Sequence, residues 1–338
     1  MARPACINNI KPHGIHSVRF ALLFTLWISF PTMLCAQKLT TDSISIYFAG
    51  DIMQHGPQLK AALKPDGTYN YDNCFRLVKP EIQAADVAVC NFETTLGGAP
   101  YSGYPNFCSP DELAQAVKDA GFDIFLTANN HCMDRRSRGL IRTLDVLDTL
   151  GIGHLGTYRH KAERDSLYPY IFEKNGIRIA LLNYTYDTNG IPVPLPVIVN
   201  MIDTIQIMAD IMRARQLEAD CIIACMHWGT EYRTKPDASQ LLLEDWLYSH
   251  GVNHIIGGHP HVVQPVVTRP HYRGYADLHL TVWSLGNYIS NMSAPGTDHG
   301  LAVTVKLKKT GTITRLCDYT LHPNHTIRST YTVEPDNN

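Results

Sequence analysis

The chain has 338 residues, of which 45% are hydrophobic and 18% are charged, and its formal net charge is −2. This is the composition of an ordinary globular protein, long enough for one large α/β domain or two modest ones. The near balance of charge offers no basic surface for nucleic acid, so we expect no nucleic-acid partner. Nine dispersed cysteines without a C-x-x-C pair argue against a disulfide framework.

Residues 1–36 have the order of a secretory signal peptide. A basic segment that contains Arg3 and Arg19 precedes the apolar run FALLFTLWISFPTMLCA, which ends at the small residue Ala36. We therefore predict cleavage after Ala36 and a periplasmic or extracellular mature chain. The alternative is a retained N-terminal membrane anchor, although the run is short for a spanning helix and contains Pro31.

From residue 44 onward, short β-branched runs alternate with stretches of helical periodicity. This alternation predicts an α/β protein with buried strands, and we find no linker that would divide residues 37–338 into two domains. Residues 301–320 predict consecutive antiparallel strands around the turn KKTGT. The predicted strands are 44–50, 86–91, 123–128, 178–183, 221–227, 254–258, 280–285 and 301–307, and the predicted helices are 74–84, 109–121, 137–150, 201–217 and 238–250.

Polar side chains follow five of these strands at their carboxyl ends, which is the edge where α/β proteins bind ligands. Each one alone has an ordinary explanation, since an aspartate can cap a helix and an Asn-Asn-His sequence can form a turn. Their coincidence at five strand ends favours one shared site. In chain order the residues are Asp51, then Asn91 and Glu93, then Asn129, Asn130 and His131, then His227, then His259 and His261.

These residues form a mixed set of nitrogen and oxygen donors without thiolates. Such donors suit Mn, Fe or Zn and argue against calcium and soft-metal sites. They outnumber the three or four ligands that one catalytic zinc needs, so we predict a site for two divalent metal ions. His55, four residues after Asp51, is a further candidate ligand.

Between about residues 44 and 290 the chain contains seven motifs: AGDIM, NFETTL, FDIFLTANNHCMD, LGIGHLGT, MHWGTEY, GGHPHVVQP and SLGNY. In their order and their residues they resemble the CapA family, which is named for the biosynthesis of capsules, notably of poly-γ-glutamate. The family in turn resembles the calcineurin-type metallophosphoesterase superfamily. The resemblance implies a four-layer αββα sandwich, in which two mixed sheets are flanked by helices and loops carry the metal ligands.

The resemblance also implies a role for each matching residue. In the superfamily's D-x-H motif Met53 replaces the histidine, and His55 is the candidate substitute. Glu93 stands where the metal-bridging aspartate sits, with Asn91 as the alternative for that part. The expected metal ligands are Asp51, His55, Glu93, Asn130, His227, His259 and His261, the expected catalytic residues are Asp51 and His131, and the expected pocket or supporting residues are Asn91, Trp228, Glu231, Tyr232 and Asn287.

Two functions follow from this resemblance. The first is a secreted metal-dependent hydrolase that cleaves a phosphoester or a related bond in a capsule or cell-envelope polymer or in its phosphorylated precursor. The second is a non-catalytic accessory protein that binds or guides a nascent poly-γ-glutamate or polysaccharide, with membrane-bound capsule synthesis machinery as its expected partner. The intact histidines favour the enzyme, whereas the missing D-x-H histidine favours the accessory role.

Overall fold

The computed structural model describes residues 41–271 and 274–336, so the predicted signal peptide lies outside the described residues. Within these ranges no helix combines the length and the apolar character that crossing a membrane requires. The strands are β1 (Thr41–Ile52), β2 (Val87–Phe92), β3 (Ile124–Leu126), β4 (Gly153–Leu155), β5 (Thr157–Tyr158), β6 (Tyr170–Lys174), β7 (Ile177–Thr185), β8 (Ile198–Val199), β9 (Cys221–His227), β10 (His254–Gly258), β11 (Val266–His271), β12 (Gly274–Val282), β13 (Asn287–Ile289), β14 (His299–Thr310), β15 (Ile313–Ile327) and β16 (Thr332–Pro335). The helices are α1 (Gly56–Ala62), α2 (Asp72–Phe75), α3 (Lys79–Gln83), α4 (Asp111–Ala120), α5 (Arg136–Leu150), α6 (Lys161–Leu167), α7 (Thr204–Gln216) and α8 (Ala238–His250).

Two mixed sheets form the centre of the fold. The first has the order β16-β15-β14-β1-β2-β3-β4, with the short strand β13 also paired to β1. The second has the order β11-β12-β10-β9-β7-β6. Strands β1 to β4 run parallel to one another, as do β7, β9, β10 and β12, while the C-terminal strands β14 to β16 are antiparallel. The predicted antiparallel tail is therefore present.

The alternation of side chains along β1 explains why the two sheets stack. Ile46 and Phe48 point to one face of the strand and pack in the same core as Ile223 of the second sheet. Tyr47 points to the opposite face, where it packs with Val117 of α4 in a second core. Since both faces of the sheet are covered with apolar side chains, the strand is buried on both sides. The predicted four-layer sandwich is confirmed.

One predicted helix is wrong in detail. The segment predicted as a helix over 74–84 forms two short helices, α2 and α3, separated by 76–78. A proline in the first turn of α3, Pro80, favours a new helix start at that point, because its ring presets the backbone for a first turn. The other four predicted helices are present, with ends that differ by no more than a few residues.

Candidate metal centre

The carboxyl ends of β1 and β2 bring two buried carboxylates to either side of one amide. Asn91 Nδ2 lies 2.7 Å from Asp51 Oδ1 and 3.2 Å from Glu93 Oε2. The same nitrogen lies 3.3 Å from His227 Nδ1. On its other side, Asn91 Oδ1 accepts a hydrogen bond from Asn129 Nδ2 at 3.3 Å. The Asn91 amide therefore links the two carboxylates of the site.

Histidines of the second sheet approach the same carboxylates. His227 ends β9, and its Nε2 lies 2.9 Å from Asn130 Oδ1, which follows β3. His261, in the turn after β10, places its Nδ1 3.2 Å from Asp51 Oδ2. The Nε2 atoms of His227 and His261 lie 3.8 Å and 3.9 Å from Glu93 Oε1. Ligand-type atoms from both sheets thus converge on Glu93.

Two glycines allow this convergence by leaving space where a Cβ would stand. A Cβ added to Gly50 would lie 2.0 Å from the carbonyl oxygen of Gly286. Because of this close approach, β13 pairs with the end of β1, and Asn287 lies opposite Asp51. A Cβ added to Gly258 would lie 2.9 Å from Asp51 Oδ1. Larger residues at either position would displace the strand ends that carry the site.

The turn after β10 holds two histidines in an unusual backbone conformation. The φ angles of His259 and His261 are 97° and 58°, in the left-handed region that non-glycine residues rarely adopt. The His259 backbone N–H donates to Asp51 Oδ2 at 3.3 Å, which ties the turn to β1. The Tyr186 ring packs on His259, with ring centroids 4.3 Å apart. Strain of this kind persists where the surrounding structure fixes it, and it is concentrated at functional sites.

Burial sets the protonation of these groups. It raises the pKa of Glu93 well above its usual value, and the negative charge of Asp51 adds to the effect. Burial alone would also raise the pKa of Asp51, but the hydrogen bond and charge of His261 bring that pKa down to about 2. Burial and the neighbouring His261 lower the pKa of His259 to about 3, and burial and His259 lower the pKa of His227 well below its usual value. His227 and His259 are therefore neutral, which is the form that binds metal ions.

Unpaired buried atoms test whether a cation suits this site. Glu93 Oε1 and His259 Nδ1 are both buried and have no hydrogen-bond partner among the residues that the structure describes. Leaving such atoms unpaired costs about 1–3 kcal/mol each, which a bound cation would offset. Ligand atoms of Asp51, Glu93 and His261 lie within 4.8 Å of one another, as do those of Glu231, His259 and His261. The donor set fits a divalent metal ion.

A histidine–aspartate pair lies next to these ligands in the chain. His131 Nδ1 lies 2.8 Å from Asp134 Oδ2, and both side chains are buried. The Phe107 backbone N–H donates to the same Asp134 oxygen at 2.6 Å, and the Phe107 ring packs edge-on against the imidazole with ring centroids 4.5 Å apart. Asp134 was missed in the sequence, although its position three residues after His131 could have indicated the pair. The pair fixes the orientation of the His131 ring.

His55 belongs to neither of the two groups of clustered ligand atoms among the described residues. His55 precedes α1, where its backbone N–H donates to Gln58 Oε1 at 2.7 Å. Its Nδ1 lies 3.2 Å from the backbone nitrogen of Asn291, and its ring contacts Phe107 with ring centroids 5.1 Å apart. These contacts are those of a residue that anchors a helix start, and the role of His55 as a substitute metal ligand stays a prediction.

Of the predicted pocket residues, Trp228 is the one that lies elsewhere. Its indole is buried in the core, stacks on Trp283 and donates to the Trp283 carbonyl oxygen at 3.0 Å. Trp228 therefore does not line the pocket wall, and its alternative role as a supporting residue stays a prediction. Glu231 is exposed beside His259 and His261, and Tyr232, 46% exposed, lies with its ring centroid 6.4 Å from that of His261. Both belong to the rim of the site.

The buried histidines predict how the metal-free protein responds to acid. The pKa of His259 falls from 6.5 to about 3 in the folded state, so the unfolded chain takes up this proton first as the pH falls. Between these values His259 alone should lower the free energy of unfolding by up to about 1.4 kcal/mol per pH unit. Urea unfolding in the presence of a chelator, at pH values above and below 6.5, measures this slope. The His259→Gln variant should show a smaller slope, and an identical slope would contradict this assignment.

Comparison with known proteins identifies the family of this chain. Residues 45–292 match the family model described as bacterial capsule synthesis protein PGA_cap. The chain belongs to this family. It is 27% identical over 317 residues to the PGA biosynthesis protein CapA of Bacillus subtilis (strain 168), covering 87% of this chain and 76% of that protein. The resemblance to the CapA family is confirmed, and the chain is a CapA-family capsule biosynthesis protein.

Solved structures share the fold of this CapA-family chain at low identity. The NAD nucleotidase NadN of Haemophilus influenzae superposes with a TM-score of 0.53 at 14% identity, covering 85% of this chain and 58% of that one. A 5'-nucleotidase precursor of Thermus thermophilus gives a TM-score of 0.51 at 14% identity, covering 83% of this chain and 54% of that one. The chain thus spans little more than half of these nucleotidases. The metallophosphoesterase-like fold is shared.

Proposed function

We propose that this CapA-family protein is a metal-dependent hydrolase that cleaves a phosphoester or a related bond during the synthesis of a capsule or cell-envelope polymer. The observation that carries the proposal is a pair of buried atoms, Glu93 Oε1 and His259 Nδ1, that have no hydrogen-bond partner within residues 41–271 and 274–336. A structural polar cluster would satisfy such atoms internally, whereas a metal centre needs them free. The two nucleotidases that share the fold support the class of bond.

The residues divide into those that would hold the metal and those that handle protons. A divalent cation bound by Glu93, Asn130 and the three histidines would supply Lewis acidity and lower the pKa of bound water. Asp134 accepts from His131 Nδ1, so that a doubly protonated His131 carries its transferable proton at Nε2. His131 donates this proton to the leaving oxygen as the bond breaks. The three histidines are His227, His259 and His261.

The substrate we propose is a capsule or cell-envelope polymer or its phosphorylated precursor, and the partner is membrane-bound capsule synthesis machinery. The family's role in capsule synthesis supports action at the cell envelope. Cleavage after Ala36, with a retained N-terminal anchor as its alternative, stays a prediction. Sequencing the N-terminus of the protein purified from its native compartment decides between the two.

The experiment that tests the proposed function is a metal-reconstitution assay. Protein stripped with a chelator is loaded with Mn²⁺ or Zn²⁺ and assayed on a chromogenic phosphodiester and a chromogenic phosphomonoester. We expect turnover that depends on the added metal and is lost in the Glu93→Gln variant. Metal-loaded protein that hydrolyses neither substrate nor a phosphorylated polymer precursor would contradict the enzymatic function.

The alternative function is a non-catalytic role in binding or guiding the polymer. Three exposed tyrosines favour it: Tyr186 packs on His259, Tyr232 lies near His261, and Tyr104, 75% exposed, lies near Phe107. Exposed aromatic rings on neighbouring loops suit the apolar faces of sugars and polypeptide chains. In this alternative, polymer binding survives chelation, whereas a substrate held at the metal centre is released.

A further inference from the structure

The orientation of Asn91 distinguishes this site from one built for two cations. Its Oδ1 accepts from Asn129 Nδ2 at 3.3 Å. Asn129 is itself fixed, because its Nδ2 donates to the Phe92 carbonyl oxygen at 3.0 Å and its Oδ1 accepts from the His131 backbone N–H at 3.2 Å. The NH₂ group of Asn91 therefore faces the carboxylates. In the reversed orientation, the Asn91 NH₂ group would face the NH₂ group of Asn129 and the Asn91 oxygen would face the carboxylate oxygens, so neither side could form a hydrogen bond.

Both carboxylate oxygens of Asp51 have hydrogen-bond partners. Oδ1 accepts from Asn91 Nδ2 at 2.7 Å. Oδ2 lies 3.3 Å from the His259 backbone nitrogen and 3.2 Å from His261 Nδ1. Glu93 differs, because its Oε2 faces Asn91 while its Oε1 has no hydrogen-bond partner in the described ranges 41–271 and 274–336. Of the four oxygens of these two carboxylates, Glu93 Oε1 is thus the one without a hydrogen-bond partner among the described residues.

Asp51 and Asn287 together orient His261. Its Nδ1 lies 3.2 Å from Asp51 Oδ2 and 3.0 Å from Asn287 Oδ1, so it carries the proton and leaves the lone pair on Nε2. That Nε2 lies 3.9 Å from Glu93 Oε1. A carboxylate that fixes the tautomer of a histidine supports a metal site without being one of its ligands. Asp51 acts here as a positioning residue.

We infer that the centre holds one cation per chain, on the Glu93 Oε1 side, and that the Asn91 amide occupies the place of a second cation between Asp51 and Glu93. This inference rests on the proposed metal-dependent function and differs from the predicted number of two ions. The residue at position 53 also supports a single cation. This residue stands where the D-x-H histidine would complete the Asp51 side, and its thioether is buried and offers only a weak ligand.

The number of bound ions tests the inference directly. Stripped protein is saturated with Mn²⁺, desalted, and analysed for metal content and by electron paramagnetic resonance. The wild-type protein should hold one Mn²⁺ per chain with the six-line spectrum of an isolated ion. The Asn91→Asp variant replaces the amide donor with a carboxylate. It should hold two Mn²⁺ ions per chain and give the spectrum of two magnetically coupled ions. Asn175→Asp, an exposed asparagine changed in the same way, should remain at one.

The outcomes separate this inference from the function on which it rests. Two coupled ions in the wild-type protein overturn the single-cation centre and leave the metal-dependent hydrolase standing. No bound ion overturns both. A folded Asn91→Asp variant that still holds one ion removes the role assigned to Asn91. Should that variant fail to fold, the wild-type metal content and spectrum decide the question alone.

Discussion

Replacing His131 with alanine is expected to lower the hydrolytic turnover number about 10²- to 10⁴-fold while the bound metal stays unchanged, which is the range for losing a general acid. The structure supports a loss of turnover without a loss of bound metal. His131 bonds to Asp134 at 2.8 Å and is absent from both groups of clustered ligand atoms among the described residues. Steady-state kinetics on a phosphodiester, paired with metal analysis of the same sample, measures both quantities.

The Asp134→Asn variant gives a second measure of the same pair. It keeps the size of the side chain but removes the carboxylate charge beside His131, so we expect a smaller loss of turnover than in the alanine variant. His154→Ala is a matched control, because His154 Nε2 lies 2.9 Å from Asp148 Oδ1, in a similar pair outside the site. Equal losses in the His131 and His154 variants would mean that His131 serves stability alone.

The second large expected effect concerns Glu93, whose buried charged form costs more free energy than its neutral form in the metal-free protein. Metal binding stabilises the folded state by about 2.7 kcal/mol when free metal exceeds the dissociation constant a hundredfold. Glu93→Gln removes the anionic ligand, so the rise in melting temperature on adding Mn²⁺ or Zn²⁺ should largely disappear. The metal-free variant should in turn be more stable than the metal-free wild type near neutral pH, because burial raises the pKa of Glu93 and makes its charged form costly.

Differential scanning calorimetry of both proteins, with and without metal, measures these opposite shifts. His250→Ala is the control, since His250 packs on Trp246 outside the site and should leave the metal-induced rise intact. A Glu93→Gln variant that metal stabilises as strongly as the wild type would exclude Glu93 as a ligand. A wild-type melting curve that does not respond to metal at all would leave only the fold and favour the polymer-binding role.

The strand ends could be predicted from the sequence because the pattern that defines a buried strand also defines where it stops. Asp51, Asn91 and His227 each follow or end an apolar run, and parallel strands deliver such residues to one edge of a sheet. The direction in which each side chain points is harder to predict from the sequence. Trp228 follows His227 directly, and successive residues of an extended chain point to opposite sides, so the indole enters the core.

His55 and Asn91 show what spacing along the chain does not determine. After β1 the chain turns into α1, and this turn directs His55 Nδ1 towards the Asn291 backbone nitrogen, a contact between residues 236 positions apart. The role of Asn91 depends on Asn129, which orients its amide from a neighbouring strand end. Neither contact has a local sequence signal, because each is fixed by the packing of distant segments.

Anomalous X-ray diffraction from crystals of the protein loaded with Mn²⁺ or Zn²⁺ tests the central claim most directly, because it locates the metal independently of any activity. We expect an anomalous peak at bonding distance from Glu93 Oε1 and from His261 Nε2, at about 2.0–2.2 Å for zinc. A peak confined to surface histidines such as His299, or no peak at saturating metal, would contradict a metal centre at these strand ends.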